Sequence, residues 1–512
     1  MDVREALLSM TAPPPRTGRH SRSRDLEHLY AYSHDLDNVA DDKRDVLRRF
    51  LFATMDESRL YYAEEYAGHV LRFCGLGAVA PLRRGVVRRE VSNDLDYDRH
   101  RDHASHTLNL YLLGWYFYVH CPQLRGEFAK HAATRLGYAR RGGNADHQTF
   151  AATWPYVSLL HDVGYMLEGS LLSSGTLVQS ERIERGVAIV NDFFRYELWD
   201  SMGLHFAGTA EYVCELIGAQ LPTISAASLN EVANSLRHLG DLSRLKQHVL
   251  DGEGFSGDYL LKQRAFPTDA FELWNLHYEI HSPKMADRLG LVEAAFRDTM
   301  NHGIVPLGIR VLDHGVCSGL LLLRIGTLLK QITLQMPHAE PKSGAQAEIK
   351  EKFESSEDHW LRDSKWWPEV VWASGAAAVH NFEQAWPDAF RPKKKLTLQD
   401  DPLAFLGVLV DIIQDWDRST SAGDAALMKR LPLQATEVDV EVVGDRVCFA
   451  FEDSGVASRL QKELSKCLTG WQKLCGIQES SWADGRKKAT GAKVAKKKVA
   501  KKKAPRRKGT GS

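Results

Sequence analysis

Ser158-Leu159-Leu160-His161-Asp162-Val163-Gly164-Tyr165 sets a histidine and an aspartate side by side at the end of an apolar run, just before a glycine. Two adjacent ionisable groups in apolar surroundings are unfavourable unless something pairs with them. A divalent metal ion is the natural partner for an imidazole and a carboxylate together. A hydrophobic helix that ends in His-Asp therefore predicts further ligands elsewhere, each a polar residue set into an apolar helix.

Upstream, Arg101-Asp102-His103-Ala104-Ser105-His106-Thr107 runs into Leu108-Asn109-Leu110-Tyr111-Leu112-Leu113-Gly114-Trp115, whose apolar density suits a buried helix. The i, i+3 spacing puts His103 and His106 on one face, and either could be the first ligand. A Gly-Gly-Asn loop at 142–144 separates this helix from the one ending at His161-Asp162. Downstream, Leu312-Asp313-His314 opens a long, nearly all-apolar helix to Ile332, and an apolar helix from Val370 to Trp386 holds His380-Asn381. A third begins with Asp401 as N-cap and Pro402 at the first helical position, and runs to Trp416 with Asp411 at its middle.

His106, His161, Asp162, His314, His380 and Asp411 are thus the polar residues that interrupt strongly hydrophobic helices. Each has a plainer alternative. His314 and His380 could be core histidines bonded to neighbouring helices, His161-Asp162 an ion pair capping its helix, and Asp411 the partner of Arg324 or another buried base. Asp415, one turn on, rivals Asp411.

The order His, His-Asp, His, His, Asp along a helical chain resembles the HD-domain metal-dependent phosphohydrolases, over roughly residues 96–420. His106-Thr107-Leu108 looks like the first ligand of that superfamily, His161-Asp162-Val163-Gly164 like its defining doublet, and Asp411 like its closing aspartate. His314 and His380 are then candidates for a second metal. The resemblance implies an HD-type helical bundle with a large helical insertion between Asp162 and Asp411. It also implies one or two divalent ions (Mn, Fe, Mg, Zn, Co or Ni, among which mixed His/Asp sites discriminate poorly) and a small-molecule nucleotide or cyclic nucleotide as substrate. A bound ion lowers the pKa of its water toward ~7 and so supplies hydroxide at neutral pH. The candidate catalytic residues are His161, Asp162, His103 and Arg101; the last two, beside His106, are placed to neutralise charge. The competing expectations are a catalytically silent HD domain that binds a nucleotide and regulates, or a nucleic-acid-associated protein tethered by its tail.

That tail hides in the totals. The chain of 512 residues has a formal net charge of zero, but 13 of its 66 Lys and Arg fall between Arg486 and Lys508 with no acids, leaving 53 against 66 acidic residues in the body. An acidic body and a basic tail imply different partners. The tail resembles the Lys/Ala-rich tails of histone-like bacterial proteins. With no aromatic residues to stack on bases, it would bind nucleic acid through phosphates, without regard to sequence and with strong salt dependence. Its low-complexity repeat predicts disorder.

The length predicts several units. These are an N-terminal arm and helices (1–95), the HD-type metal-binding domain (96–425), a small α+β module (426–482) and the tail (483–512). Residues 1–24, with Pro13-Pro14-Pro15, read as a loose arm, and Asp25 to Leu76 as two amphipathic helices. Val86 to Val91 reads as a β-favouring piece and Asp94-Leu95-Asp96-Tyr97-Asp98 as a solvated turn. Within the insertion, helices are expected at 183–194, 209–217 and 229–249, with a Gly-rich turn at 252–257. His205, His238, His248, His277 and His281 have no partner at metal spacing. Lys342 to Asp363 reads as a surface loop or exposed helix. Alternation over 433–452 about Gly444 predicts a β-hairpin, followed by a helix from Val456 to Cys475.

Seven cysteines without a C-x-x-C pair read as reduced, packing residues of a cytosolic protein. The N-terminus has no apolar core of a signal peptide, and no uninterrupted apolar run reaches the ~18 residues of a membrane span. The expectation is a cytoplasmic protein with no membrane contact and an oligomeric state that the sequence leaves open. No phosphate loop or dinucleotide fingerprint appears, so no bound nicotinamide or flavin is expected.

Overall fold

The computed structural model describes residues 1–10, 40–92, 103–135, 145–167, 169–170, 178–225, 229–242, 268–279, 282–302, 310–355, 366–381, 394–417 and 433–479. Among these the chain is mainly helical, with its longest strands in the C-terminal part. The apolar segments form the centre. Helix His103–His120 is buried from His103 through Tyr118, so it packs all round rather than along one stripe. It meets Ala145–Leu159 and Pro402–Ile413, and Trp367–Val379 packs on both of those and on His314–Gln335. The contact between His314–Gln335 and Trp367–Val379 is the most extensive of these and depends on small residues. A Cβ on Gly319 would lie 2.7 Å from the Ser374 carbonyl oxygen, so the backbones meet where no side chain fits. The segment His314–His338 is long and apolar enough to cross a membrane, but 94% of its most apolar window is buried inside the protein as a core helix.

The helix starts follow from their capping residues. Asp401 Oδ1 accepts from the Leu403 and Ala404 N–H groups at 2.8 Å, and Pro402 fills a position that needs no donor. Asp313 caps His314–Gln335 in the same way, accepting from Gly315 and Val316 at 2.9 and 3.2 Å. The expected 183–194 helix is part of a longer one, Val178–Asp192 continued by the wider turn Phe193–Glu197, while Thr209–Leu216 and Leu229–Leu239 account for the next two, with 243–249 outside the described residues. Trp367–Val379 stops at His380 and Pro402–Ile413 stops short of Trp416. Two amphipathic helices, Ala40–Leu51 and Asp56–Phe73, lie in the 25–76 region, and Gly344–Ser355 is the helix within 342–363.

Two expectations are overturned. Residues 1–10 are no loose arm: Asp2 caps helix Val3–Ser9, whose Val3, Ala6 and Leu7 are buried, and the Met1 carbonyl accepts from Val440 N–H at 2.8 Å. Residues 86–91 are not β; they belong to helix Ala80–Ser92. Leu82 and Val86, four apart, are buried on one face of it beside Arg83, so helical packing overrides the β preference of the valines. The acidic turn at 94–98, the Gly-rich turn at 252–257, the 142–144 loop and the 483–512 tail lie outside the described residues.

In the C-terminal part, strands Val438–Val443 and Arg446–Phe451 pair antiparallel, Val443 opposite Arg446, and Gly444 takes the positive φ (+63°) that the two-residue turn demands. A third strand, Cys475–Glu479, lies parallel to the second and is reached through helix Ser454–Cys467. That helix ends earlier than its pattern, because Leu468–Thr469 instead pairs with Leu396–Thr397 and Gly470 turns the chain at φ +80°.

Candidate metal centre

His161 and Asp162 stand just beyond helix Ala145–Leu159, in a turn leading into the 3₁₀ segment Val163–Met166. Gly164 fixes where this turn sits. Its N–H donates to Ser318 Oγ at 2.7 Å, and a Cβ would lie 2.0 Å from the His314 carbonyl oxygen. Only glycine lets the turn press onto the start of His314–Gln335. The approach carries Asp162 Oδ1 to 3.2 Å from His161 Nε2, 3.6 Å from His314 Nε2 and 3.9 Å from His380 Nε2. The last two nitrogens are 3.2 Å apart. His314 and His380 are brought to this spot by a cross-link between their neighbours, Asn381 Nδ2 donating to Asp313 Oδ2 at 3.1 Å.

The first helix contributes His106, whose Nε2 is 2.9 Å from Asp411 Oδ1 and whose Nδ1 faces Gln414 Oε1. The His106 and His161 rings are 5.9 Å apart and those of His161 and His380 4.6 Å. Two overlapping groups result, His106/His161/Asp411 and His161/Asp162/His380, each with its ligand atoms all within 4.8 Å of one another. His314 borders the second group.

His161 Nδ1 donates to the Ser158 carbonyl at 3.0 Å and His380 Nδ1 to that of Ala377 at 2.7 Å. Burial, with His161 beside it, holds the His380 imidazole below its ordinary pKa, which favours the neutral ring. In a neutral ring with its hydrogen on Nδ1, Nε2 is a lone pair, and here such lone pairs point toward a carboxylate. A cation between them turns that repulsion into coordination, and mixed imidazole and carboxylate donors suit a divalent ion. These buried groups could hold a metal ion.

The other candidates fall as follows. His103 lies in no ligand group; its ring is 4.1 Å from Tyr165, which itself stacks on His314 at 3.9 Å. Of the two, His106 is the one that Asp411 and Gln414 meet. Arg101 lies outside the described residues. Asp415 is engaged elsewhere, by Arg459, and Arg324 donates to the Gln220 carbonyl at 3.3 Å, away from Asp411. Among the insertion histidines, His205 and His238 are exposed and His277 is buried outside either group, while His248 and His281 lie outside the described residues.

Arg83 is a positioning residue that pattern reading misses. Buried at 3% exposure, it pairs with Glu64 at 2.7 Å and donates to the carbonyls of Ala104 and Leu159 at 2.6 and 3.2 Å, and to Thr107 Oγ1. It ties the start of the His106 helix to the end of the His161 helix. Nothing local distinguishes it from Arg84, which is exposed. No family model, no curated protein and no solved structure matches the chain.

Proposed function

We propose that the chain is a metal-dependent phosphohydrolase of the HD type, acting on a phosphoester or phosphoanhydride of a nucleotide or cyclic nucleotide. One observation supports it above all: side chains from five separate segments, His106, His161 with Asp162, His314, His380 and Asp411, converge on one largely buried centre, forming two groups that share His161, each with its ligand atoms within 4.8 Å of one another, and with His314 3.2 Å from His380. A divalent ion bound there supplies Lewis acidity and a water acidified toward ~7. The chain's own part is to hold it. His106, His161 and Asp411 form one set of donors, and Asp162, His314 and His380 adjoin it. The Ser158 and Ala377 carbonyls orient the His161 and His380 rings toward Asp162, and the apolar helices exclude bulk water, so each charge acts in a low dielectric. Arg101 and His103, beside His106 in the sequence, are assigned to the incoming phosphate as a cationic and a hydrogen-bonding group.

A cytoplasmic setting belongs to the same reading, and the seven cysteines, none of them in a disulfide, accord with it. The 486–508 tail is assigned a loose, salt-sensitive hold on nucleic acid. The test is elemental analysis of protein purified without chelator, then turnover on a panel of dNTPs, cyclic nucleotides and (p)ppGpp. Loss of metal and turnover together in His161→Ala and Asp162→Ala is expected. A wild-type protein that takes up no divalent metal would reject the reading.

A further inference from the structure

His161 and His380 are each oriented by a backbone carbonyl three residues earlier in their own segment. His106 is not. Its Nδ1 depends on Gln414, a side chain 308 residues away and 1% exposed. The Gln414 amide has a defined sense, because its Nε2 donates to the Trp416 carbonyl at 2.7 Å and so turns Oε1 to the imidazole. An amide oxygen only accepts. His106 Nδ1 therefore carries a hydrogen, and Nε2, 2.9 Å from Asp411 Oδ1, is the atom that a cation would take in place of its hydrogen bond to that carboxylate.

Gln414 is in turn held by the residues just after it in the chain. Asp415 pairs with Arg459 of helix Ser454–Cys467. The Trp416 and Phe449 rings lie 6.4 Å apart. Asp417 donates its N–H to the Leu433 carbonyl at 2.7 Å, accepts from Ala435 N–H at 3.0 Å, and alone among described non-glycine residues has a positive φ, 53°. Residues 414–417 thus form a strap in which Asp415, Trp416 and Asp417 each contact the C-terminal module, while Arg59 of helix Asp56–Phe73 also reaches Asp417, its Nη2 3.8 Å from Oδ2.

We infer that Gln414 is a positioning residue that fixes the tautomer of His106, and that the C-terminal module controls, through the 414–417 strap, how tightly the His106/His161/Asp411 group holds a divalent cation. The inference rests on the metal-site reading above. Outer partners of ligating histidines commonly set ring orientation and tautomer, and losing one weakens metal binding by about 10- to 100-fold. Here that partner belongs to a strap that Arg459, Phe449, Leu433 and Ala435 of the module hold, beside the contact from Arg59, so the module and the ligand set act together.

The experiment uses the full chain, stripped of metal and titrated with Mn²⁺, with ¹⁵N-histidine ring spectra of the metal-free protein recorded in parallel. Gln414→Leu is expected to weaken Mn²⁺ binding by about 10- to 100-fold and to move the His106 ring hydrogen off Nδ1. Gln414→Glu, which keeps an acceptor oxygen, is expected to hold the hydrogen on Nδ1 and restore most of the affinity. Arg459→Met, in the module and touching no ligand, should weaken Mn²⁺ binding in the same direction while the protein stays folded by circular dichroism. A merely structural role would lower stability in Gln414→Leu without a tautomer change, and that result overturns the inference. So does an unchanged Mn²⁺ affinity in both Gln414→Leu and Arg459→Met. If wild type binds no Mn²⁺ the metal reading fails with it, whereas failure of the Gln414 and Arg459 variants alone to shift a measurable affinity leaves the metal reading standing.

Discussion

Gly164→Ala is the sharpest perturbation of the centre, because it adds one methyl group where two backbones meet. The new Cβ would sit 2.0 Å from the His314 carbonyl oxygen and 2.5 Å from the Ser318 nitrogen, neither of which can rotate away. Ordinary contact begins at 3.4 Å, so the turn must retreat by about 1.4 Å. The retreat breaks the Gly164–Ser318 hydrogen bond, a loss of about 1 kcal/mol, and the overpacking adds about 1–3 kcal/mol. Destabilisation of roughly 2–4 kcal/mol is expected by chemical denaturation. The functional effect is larger than the stability effect. Asp162 Oδ1 and His314 Nε2 are 3.6 Å apart, and a retreat along that line opens them to about 5 Å, beyond the ~4.4 Å that two metal–ligand bonds of about 2.2 Å can span. Mn²⁺ titration should therefore show lost affinity even where the variant remains folded. Ser318→Ala is the control, removing the hydrogen bond alone and costing about 1 kcal/mol. A Gly164→Ala protein with wild-type stability and wild-type Mn²⁺ affinity would refute the claim that this glycine sets the position of Asp162.

Other perturbations separate the scaffold from the site. Asp401→Ala removes a helix cap and the fully buried partner of Arg135, 3.3 Å away, leaving that guanidinium uncompensated; a loss of about 3–5 kcal/mol is expected in denaturant unfolding. Arg83→Met deletes the link between the His106 and His161 helices, and should cost about 3 kcal/mol and weaken Mn²⁺ binding, though Arg83 touches no ligand side chain. Burial, with Arg135 nearby, holds His131 below its ordinary value of 6.5. The unfolded chain then binds more protons than the folded one as pH falls below about 6.5, so stability is lost on acidification through that range and regained above it. His131→Gln should flatten this part of the stability curve, measured by denaturation between pH 7.5 and 5.5.

The helices that carry the His/Asp groups were legible because a charged or imidazole group inside an aliphatic run carries a desolvation cost that only a partner can offset. Asp411 and His380 stand out by that rule without any knowledge of the fold. Gln414 did not, since an uncharged amide at a helix end is ordinary, and only its contact with His106 gives it meaning. Arg83 was hidden for the opposite reason. It sits beside Arg84 in a segment whose valines suggested a strand, and its burial is decided by Glu64, Ala104 and Leu159 from three other segments. The helix Val3–Ser9 was equally hidden, because so short a helix is stabilised by what it packs on rather than by propensity. Local cost marks where a polar group needs a partner; it does not mark the residues that serve as partners.

The geometry also limits how the centre can be filled. An imidazole nitrogen has one lone pair, so His161 can complete only one of the two groups that share it. A carboxylate has two oxygens and about four lone-pair sites, and Asp162 already stands between His161, His314 and His380. Two ions would therefore divide the histidines, His106 and His161 to one side and His314 and His380 to the other, with Asp162 between. His314 is then the residue on which the second position turns. It would replace His161 there, and its 3.2 Å approach to His380 is a spacing that two donors to one cation share.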